Sequence, residues 1–222
     1  MILAHLAWLQ DEPGLALEPL ASRLDAFARA ELEQRQQPAR RRHHLLSRAL
    51  LTRVLEGVGL NAGDLRYARA DSGRLLLAAP AGWHISLSHG GDHVAVCVAS
   101  APCGVDIERP RPASLLRLAR RYFSAAEAAR LTALAPADAE RDFFRLWTLK
   151  EAGAKALDQG LAHNMARLAF DLEQEPPAAL DAAVGLAVWQ AQAGAAWLAA
   201  AVASHAPVAW QAHEVAPSAL LA

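Results

Sequence analysis

The spacing of apolar positions changes along the chain and predicts a mixture of helices and strands. Residues 1–9 alternate weakly between apolar and polar, as a first strand would. Residues 22–37 and 40–56 repeat their apolar positions every three or four residues, which predicts two helices. The period then becomes that of strands, with a hairpin over residues 65–77 and two further strands within residues 83–99.

The second half of the chain shows the same progression from helical to strand-like spacing. A strand is predicted at residues 104–108 and a helix at residues 114–123. Ser124 followed by Glu127 predicts a capped helix start, and a long helix is predicted to begin at Asp138 and end at Gly160. Four more strands are predicted at residues 166–172, 185–190, 195–204 and 207–214.

This order of elements predicts an α+β fold built from two similar halves. Residues 1–103 form the first half and residues 104–222 the second, and the chain crosses between them near residues 100–113. The repetition is one of architecture, since no periodicity appears at the level of individual residues. We expect a pseudo-dimer with the active site between its halves.

Composition limits the classes of function. The 222 residues are 54% hydrophobic and 20% charged, with a net charge of −1, so no overall basic field draws the chain to nucleic acid or an anionic membrane. Cys97 and Cys103 provide neither a disulfide framework nor a metal-binding pair spacing. The N-terminal residues lack the pattern of a signal peptide, and no apolar run is long enough to span a bilayer. We expect a cytoplasmic protein.

The long helix carries charges inside its apolar face. At about 100° per residue, Lys150 and Glu151 lie among the aromatic and leucine positions, and Lys155 lies one turn later at the edge of that face. An unpaired charge is costly in such a place. The alternatives are a surface Glu–Lys pair and a functional pair, and the aromatic neighbours argue against the surface pair.

The strand GVDIE, residues 104–108, places two carboxylates on one side. Asp106 and Glu108 share a face because side chains alternate along a strand, and their Cα atoms lie roughly 7 Å apart. The pair could share a cation. Taken alone, a segment of this kind is more often a strand whose acidic face is solvated.

Two further segments could bind an anion. Ser88 and His89 precede a tight turn of small residues whose backbone N–H groups could hold a phosphate, although a plain hairpin would look the same. The basic tract at residues 40–44 is either a solvated helix face or an anion site. The spacing of His84, His89 and His93 matches no zinc-ligand pattern.

Three motifs in this order resemble the 4′-phosphopantetheinyl transferases of the surfactin-synthetase-activating type. They are GVDIE, RYFSAAE and WTLKEAGAKALDQGL, and the resemblance extends upstream to SLSHGGDHVAVCV and RRRHHLLSRALL. It covers roughly residues 40–165. It implies an enzyme that moves the phosphopantetheine arm of coenzyme A to a serine of an acyl or peptidyl carrier protein and releases adenosine 3′,5′-bisphosphate.

The resemblance also implies roles for individual residues. Asp106, Glu108 and Glu151 match the family's Mg²⁺ ligands, and Glu151, or a water that it orients, would be the base. Lys155 would stabilise the leaving phosphate, and Lys150 matches the family's lysine in the same motif. Asp106, Lys150 and Lys155 are accordingly assigned to the coenzyme A site as well.

The remaining coenzyme A contacts come from the first half of the chain. Ser88 and His89 match positions that hold the 3′-phosphate, and Gly73 and Arg74 match the loop around the adenine and a phosphate. Arg42 is the first choice among the arginines before the second helix. His43 and His44 stand about where another basic residue is usual, which is a departure from the family pattern.

Two other functions are alternatives. A paralogue could bind coenzyme A or a carrier protein without transferring anything, although the complete set of three carboxylates and Lys155 argues against it. A Mg²⁺-dependent phosphohydrolase would need water-positioning groups that the sequence does not show. We expect a monomer whose carrier protein docks at residues 109–121, where five arginines accompany Leu115, Leu116 and Leu118.

Overall fold

The computed structural model describes residues 1–111, 114–158 and 165–221, and these ranges contain six α-helices and eleven strands. The helices are α1 Glu18–Arg23, α2 Ala26–Glu33, α3 Pro38–Gly57, α4 Leu115–Tyr122, α5 Ala125–Ala133 and α6 Pro136–Ala156. The strands are β1 Ile2–Gln10, β2 Arg66–Arg69, β3 Leu75–Ala79, β4 His84–Gly90, β5 His93–Ala99, β6 Cys103–Glu108, β7 Phe170–Asp171, β8 Ala178–Ala179, β9 Leu186–Ala193, β10 Ala196–Ala203 and β11 Val208–Glu214. The α+β class predicted from the sequence is confirmed.

Two sheets form the centre of the molecule. The first has the order β11-β1-β5-β4, and the second has the order β6-β10-β9. Neighbouring strands run antiparallel except β11 and β1, which are parallel and pair Ile2 with Val208 through to Trp8 with Glu214. Two short hairpins, β2-β3 and β7-β8, complete the strand pairing found in the described ranges.

The sheets and the two long helices stack as four layers. Strand β5 shows why: it is buried on both faces, with Val94, Val96 and Val98 turned toward the cluster that contains α3. Its alternate residues, including Cys97, pack against small side chains of β6 and β10 in a second cluster between the sheets. The other face of the second sheet packs on α6 through a third cluster. Burial of each large aliphatic side chain contributes about 1.5–3 kcal/mol.

Several boundaries differ from those that the sequence pattern predicts. The single helix expected at residues 22–37 is two helices, because the chain becomes extended at Leu24 and Asp25 then caps α2 by accepting a hydrogen bond from Ala28 N at 2.9 Å. The strand expected at residues 166–172 is reduced to the two residues of β7.

Helix α5 and helix α6 test two predictions about helix ends. Ser124 and Glu127 form the predicted capping box at the start of α5. Helix α6 begins at Pro136 and ends at Ala156, and the predicted stop at Gly160 lies outside the described residues.

The division into two similar halves stays a prediction. Strand β11, which belongs to the second half, pairs with β1 of the first and so joins the end of the chain to its beginning. Over the described parts of the chain, no helix is both long enough and apolar enough to cross a membrane.

Candidate active site

Strands β4 and β6 come together at neighbouring edges of the two sheets. Ser86 of β4 accepts a hydrogen bond from Val105 N at 3.1 Å, and so links strands of different sheets. Gly90, also in β4, lies so close to β6 that a Cβ would stand 2.2 Å from the carbonyl oxygen of Ile107. This approach places the predicted phosphate residues, Ser88 and His89, beside the acidic strand.

Helix α6 lies directly on β6 at Gly104. A Cβ at this position would stand 2.0 Å from the Ala152 carbonyl oxygen, so a glycine is required for the contact. The close packing brings the charged positions of α6, Glu151 and Lys155, against the face of β6 that carries Asp106. Three predicted motifs therefore meet at one place.

The ammonium group of Lys155 links these elements. Its Nζ donates to Asp106 Oδ1 at 2.8 Å, to the Val105 carbonyl oxygen at 2.9 Å and to Ser88 Oγ at 3.4 Å. Ser88 in turn donates from Oγ to Asp106 Oδ1 at 2.8 Å. Asp106 is only 5% exposed, so the alternative of a solvated acidic strand face is wrong for this residue.

The three predicted carboxylates influence one another. Burial, reinforced by the negative charges of Asp106 and Glu108, raises the pKa of Glu151 to about 7, although Lys155 opposes the rise. The pKa of Glu108 is also raised, chiefly by burial, while its ion pair with Arg111 at 2.5 Å opposes the rise. Because the pKa values of these carboxyl groups are raised, a bound cation would stabilise their ionised forms.

The carboxylate oxygens of this cluster are ligands that a hard divalent metal ion prefers, although they are not yet assembled around one point. Asp106 Oδ2 is buried and, among the described residues, has no hydrogen-bond partner, so this oxygen is free to act as a ligand. The described side chains do not include a set of three His, Cys, Asp or Glu residues already assembled at ligand distances. Asp106 and Glu108 are engaged by Lys155 and Arg111 instead.

A cavity of about 600 Å³ adjoins this cluster. Of the residues assigned to coenzyme A from the sequence, Gly73, Arg74, His89 and Lys155 line it. Among the described residues, its lining consists of Arg35, His44, Ser47, Arg48, Arg69, Ser72, Gly73, Arg74, Leu75, Ser86, Leu87, His89, Ala154, Lys155 and Asp158. Five of these side chains are cations and one is a carboxylate, so the cavity favours an anionic ligand.

Arg74 joins the β2-β3 turn to the end of α6. Its Nη1 donates to the Lys155 carbonyl oxygen at 2.8 Å and to Asp158 Oδ1 at 3.3 Å. The carbonyl groups at the end of a helix favour a nearby cation. The turn that contains Gly73 is thus held against the helix that carries Lys155.

Arg42 and Lys150 are placed away from this cavity. Arg42 forms a two-bond ion pair with Asp11, at 2.7 and 2.8 Å, and also donates to the carbonyl oxygens of Leu15 and Glu12. Lys150 is 0% exposed, and its Nζ contacts Glu127 Oε2 and the Met165 carbonyl oxygen at 2.8 Å each and the Leu168 carbonyl oxygen at 2.5 Å. In this position Lys150 has no surface with which to contact a ligand.

The two histidines of α3 have different surroundings. His43 stacks on His89 with 4.8 Å between ring centroids, which brings it to the cavity residues. His44 is 5% exposed, and its Nε2 lies 2.7 Å from the Ala28 carbonyl oxygen, to which it donates. Burial lowers the pKa of His44 to about 4 and is also the main cause of a lowered pKa at His89. His44 is therefore a neutral core residue.

Three further arginines, Arg35, Arg48 and Arg69, line the cavity, and no motif in the sequence marks them. They belong to three separate segments, and isolated arginines of this kind usually lie on solvated surfaces. Burial of Arg48 could have been predicted from its position on the apolar side of α3, one turn after His44.

Comparisons with known proteins identify the family of the chain. A family model described as the 4′-phosphopantetheinyl transferase superfamily matches residues 102–209. The transferase HetI of Nostoc sp. is 31% identical over 180 residues, which cover 78% of this chain and 75% of HetI.

Two Bacillus proteins are also similar. The transferase psf-1 of Bacillus pumilus is 31% identical over 63% of this chain, and the transferase Sfp of Bacillus subtilis is 29% identical over 59% of it. The matched regions span 60% and 57% of these two relatives, respectively, which is less than two thirds of either. With HetI matched over most of both lengths, the chain belongs to the 4′-phosphopantetheinyl transferase family.

Proposed function

We propose that this enzyme transfers the 4′-phosphopantetheine group of coenzyme A to a serine of an acyl or peptidyl carrier protein. The serine Oγ forms a bond to the phosphorus that carries the pantetheine arm, and the bond from that phosphorus to the bridging pyrophosphate oxygen breaks. Adenosine 3′,5′-bisphosphate leaves with the bridging oxygen. The observation that carries this proposal is Lys155, which lines the cationic cavity and also contacts Asp106 in the carboxylate cluster.

Glu151 is proposed as the group that accepts the serine proton, directly or through a water. The pKa of Glu151, about 7 before any metal ion binds, lies close to neutral pH, as general-base catalysis requires. Lys155 faces the same region and would stabilise negative charge on the leaving phosphate.

Asp106, Glu108 and Glu151 would hold one Mg²⁺. When bound, the ion would neutralise charge on the pyrophosphate of coenzyme A. The unpartnered Oδ2 of Asp106 and the raised pKa values of the two glutamates support this assignment. Asp106 can offer its unpartnered Oδ2 while Oδ1 stays paired with Lys155, whereas the Oε2 of Glu108 must first leave Arg111.

The nucleotide end of coenzyme A is proposed to occupy the cationic cavity. Ser88 and His89 would contact its 3′-phosphate, and the turn at Gly73 and Arg74 would contact the adenine and a phosphate. Arg42 could join them only by leaving Asp11. The enzyme is proposed to act as a monomer, with its carrier protein docked near residues 109–121.

A transfer assay tests the function directly. The purified protein is mixed with coenzyme A, Mg²⁺ and a panel of apo carrier proteins, and the mass of each carrier is measured. Gain of one phosphopantetheine by a carrier is expected. Binding without a mass gain would indicate the non-catalytic paralogue, and adenosine 3′,5′-bisphosphate released without any carrier would indicate a hydrolase.

Asp106→Asn tests the metal assignment. Asparagine preserves the shape of the buried side chain and can accept the hydrogen bond from Ser88, so the fold should be retained. We expect loss of transfer and a large loss of Mg²⁺ binding, measured by calorimetry in the presence of coenzyme A. Unchanged Mg²⁺ affinity in a folded variant would contradict the assignment.

A further inference from the structure

Arg48 is a buried cation on the wall of the cationic cavity, and it has no role in the reaction proposed above. It lies on α3, is 4% exposed, and lines this cavity together with Arg69 and Arg74, as well as a second cavity of about 400 Å³ on the side of Tyr67. Its Nη2 forms an ion pair with Glu31. Its Nη1 is buried and has no hydrogen-bond partner anywhere in the ranges that the structure describes.

An unpartnered guanidinium N–H is unusual in a protein interior. A buried donor left unsatisfied costs about 1–3 kcal/mol, and more when it belongs to a charged group. The same cavity contains a second such donor, Arg74 Nε. Arg48 Nη1 and Arg74 Nε are thus two unpartnered N–H groups on residues that line one cavity. Each marks a place where an acceptor atom of a ligand would be favourable.

The surroundings of Arg48 fix the orientation of its guanidinium group. Its central carbon lies 5.7 Å from the ring centroid of Phe27 and 5.2 Å from that of Tyr67. Both contacts fall within the range of cation–π attraction. Two aromatic rings and one carboxylate thus hold the group in place before any ligand arrives, which reduces the entropy lost on binding.

The partner of Arg48 connects it to the turn proposed to bind the nucleotide. Glu31 also pairs with Arg69, and Arg69 Nη1 donates to the Gly73 carbonyl oxygen at 2.7 Å. Arg48, Glu31, Arg69 and the turn therefore form one connected network. Arg35 lines the same cavity, so the local charge is positive in spite of Glu31.

We propose that Arg48 is a specificity residue that donates a hydrogen bond from Nη1 to the adenosine bisphosphate portion of coenzyme A. This inference rests on the proposed function, since it assumes that coenzyme A is the ligand of the cavity. The nucleotide is favoured over the pantetheine arm because it carries the negative charge that a cationic wall attracts. It is also the portion assigned to the turn that Arg69 contacts.

Calorimetry on the purified protein tests the inference with two ligands, adenosine 3′,5′-bisphosphate and 4′-phosphopantetheine. Arg48→Lys keeps the charge beside Glu31 but lacks the forked donors, and Arg48→Met removes the donors altogether. We expect bisphosphate affinity to fall about tenfold or more in both variants, the size of one charge-assisted hydrogen bond. Affinity for 4′-phosphopantetheine should not change.

Arg53→Lys is the matched control, because Arg53 is on the same helix, is exposed and does not line the cavity. Wild-type bisphosphate affinity in a folded Arg48→Lys variant would overturn the inference. An equal loss for both ligands would also overturn it, since that result would indicate a structural role. If the variants do not fold, guanidinium NMR of the wild-type protein decides: added bisphosphate must shift the Arg48 signals.

Failure of this inference and failure of the proposed function would give different results. Absence of carrier modification by the wild-type protein would contradict the transfer reaction. Loss of nucleotide affinity in the Arg48 variants would still be measurable in that case. Conversely, an active enzyme whose Arg48 variants bind the bisphosphate normally would contradict only the inference about Arg48.

Discussion

Lys150 and Lys155 lie on one helix but have opposite surroundings. Lys150 is enclosed by Glu127, two backbone carbonyl groups and the ring of Phe123, whose centroid lies 5.0 Å from Nζ. Burial lowers the pKa of Lys150, while the carboxylate of Glu127 opposes that change. Lys155 instead reaches the carboxylate cluster and the cavity. The first lysine therefore stabilises the fold, and the second is available for chemistry.

Replacing Lys150 with methionine should destabilise the protein without changing ligand affinity. The substitution leaves the Glu127 carboxylate buried without its cation, and breaking a buried pair in this way costs about 3–5 kcal/mol. Urea unfolding would measure the loss, and coenzyme A binding would be measured at a temperature where the variant is folded. Normal stability combined with weaker coenzyme A binding would show instead that Lys150 contacts the ligand.

His44 should make stability depend on pH. Its neutral ring donates to Ala28, and the nearby charges are those of Arg35, Arg48 and Glu31. The pKa is about 4 in the folded protein against 6.5 for an unperturbed histidine. As pH falls through this interval the unfolded chain binds a proton that the folded protein does not, so stability is lost. The full loss is about 3 kcal/mol between pH 7 and pH 4.

Comparison with His44→Gln isolates this contribution from that of the carboxylates. Glutamine can donate to the Ala28 carbonyl group but does not titrate. The stability advantage of the wild type over the variant, measured by urea unfolding, should therefore shrink as pH is lowered from 7 to 5. A constant difference across that range would mean that His44 is not held neutral.

Among the elements, the contact between α6 and β6 controls the site. Glu151 and Lys155 are carried by the helix and Asp106 by the strand, and the two backbones touch at Gly104. The geometry of the candidate site thus depends on a residue that has no side chain. A small separation of these two elements would part Lys155 from Asp106.

Gly104→Ala should therefore impair both stability and transfer. The added methyl group would lie 2.0 Å from the Ala152 carbonyl oxygen and 2.7 Å from the Ala156 nitrogen, so the helix must move. Overpacking of this kind costs about 1–3 kcal/mol, and more where backbone is the obstacle. Thermal unfolding and the transfer assay would measure the two effects.

Gly57→Ala is the matched control for that experiment. Gly57 ends α3, and a Cβ there meets nothing within 4 Å. Alanine is favoured over glycine in a helix, so this variant should be as stable as the wild type or slightly more so. If Gly104→Ala behaved like the control, the close packing of α6 on β6 would be wrong.

The sequence predicted the long, periodic elements well and the short ones poorly. Helix α3 and strands β4 to β6 follow their hydrophobic patterns because the apolar residues of each are buried in a core cluster. The break between α1 and α2 depends on capping by Asp25, and β7 with β8 contributes only two residues per strand. Neither feature produces a repeating pattern that a sequence could reveal.

The site was predictable to the extent that its residues are consecutive or lie one turn apart. Asp106 and Glu108 lie on one strand, and Glu151 and Lys155 are separated by one helical turn. The cavity wall formed by Arg35, Arg48 and Arg69 comes from distant segments, so only the tertiary structure reveals it. For the same reason, the sequence could not distinguish the core-facing Lys150 from its neighbour.

For the molecule as a unit, the proposed carrier-docking surface lies beyond the acidic strand. Arg109 lies 3.5 Å from Asp92, and Arg111 pairs with Glu108, so both are held near the candidate site. Arg117 and Arg120 of α4 are exposed. Leu116 is 39% exposed and borders a groove of about 430 Å³ between α4, α5 and the start of α6. Residues 112–113 lie outside the described ranges.

Reversing the charge of Arg117 and Arg120 should weaken carrier binding specifically. The resemblance implies a carrier with an acidic helix beside its serine, and opposite charges at the edge of an interface act mainly on the association rate. Arg117→Glu combined with Arg120→Glu should raise the KM for the carrier by about tenfold at low salt, and the difference should shrink as salt screens the charges. Coenzyme A affinity should be unchanged.

The matched control reverses two exposed arginines of α3, Arg40 and Arg53, which changes the net charge by the same amount. Equal effects of the two double variants would reflect overall charge alone, and an unchanged KM in the α4 variant would place the docking surface on another face.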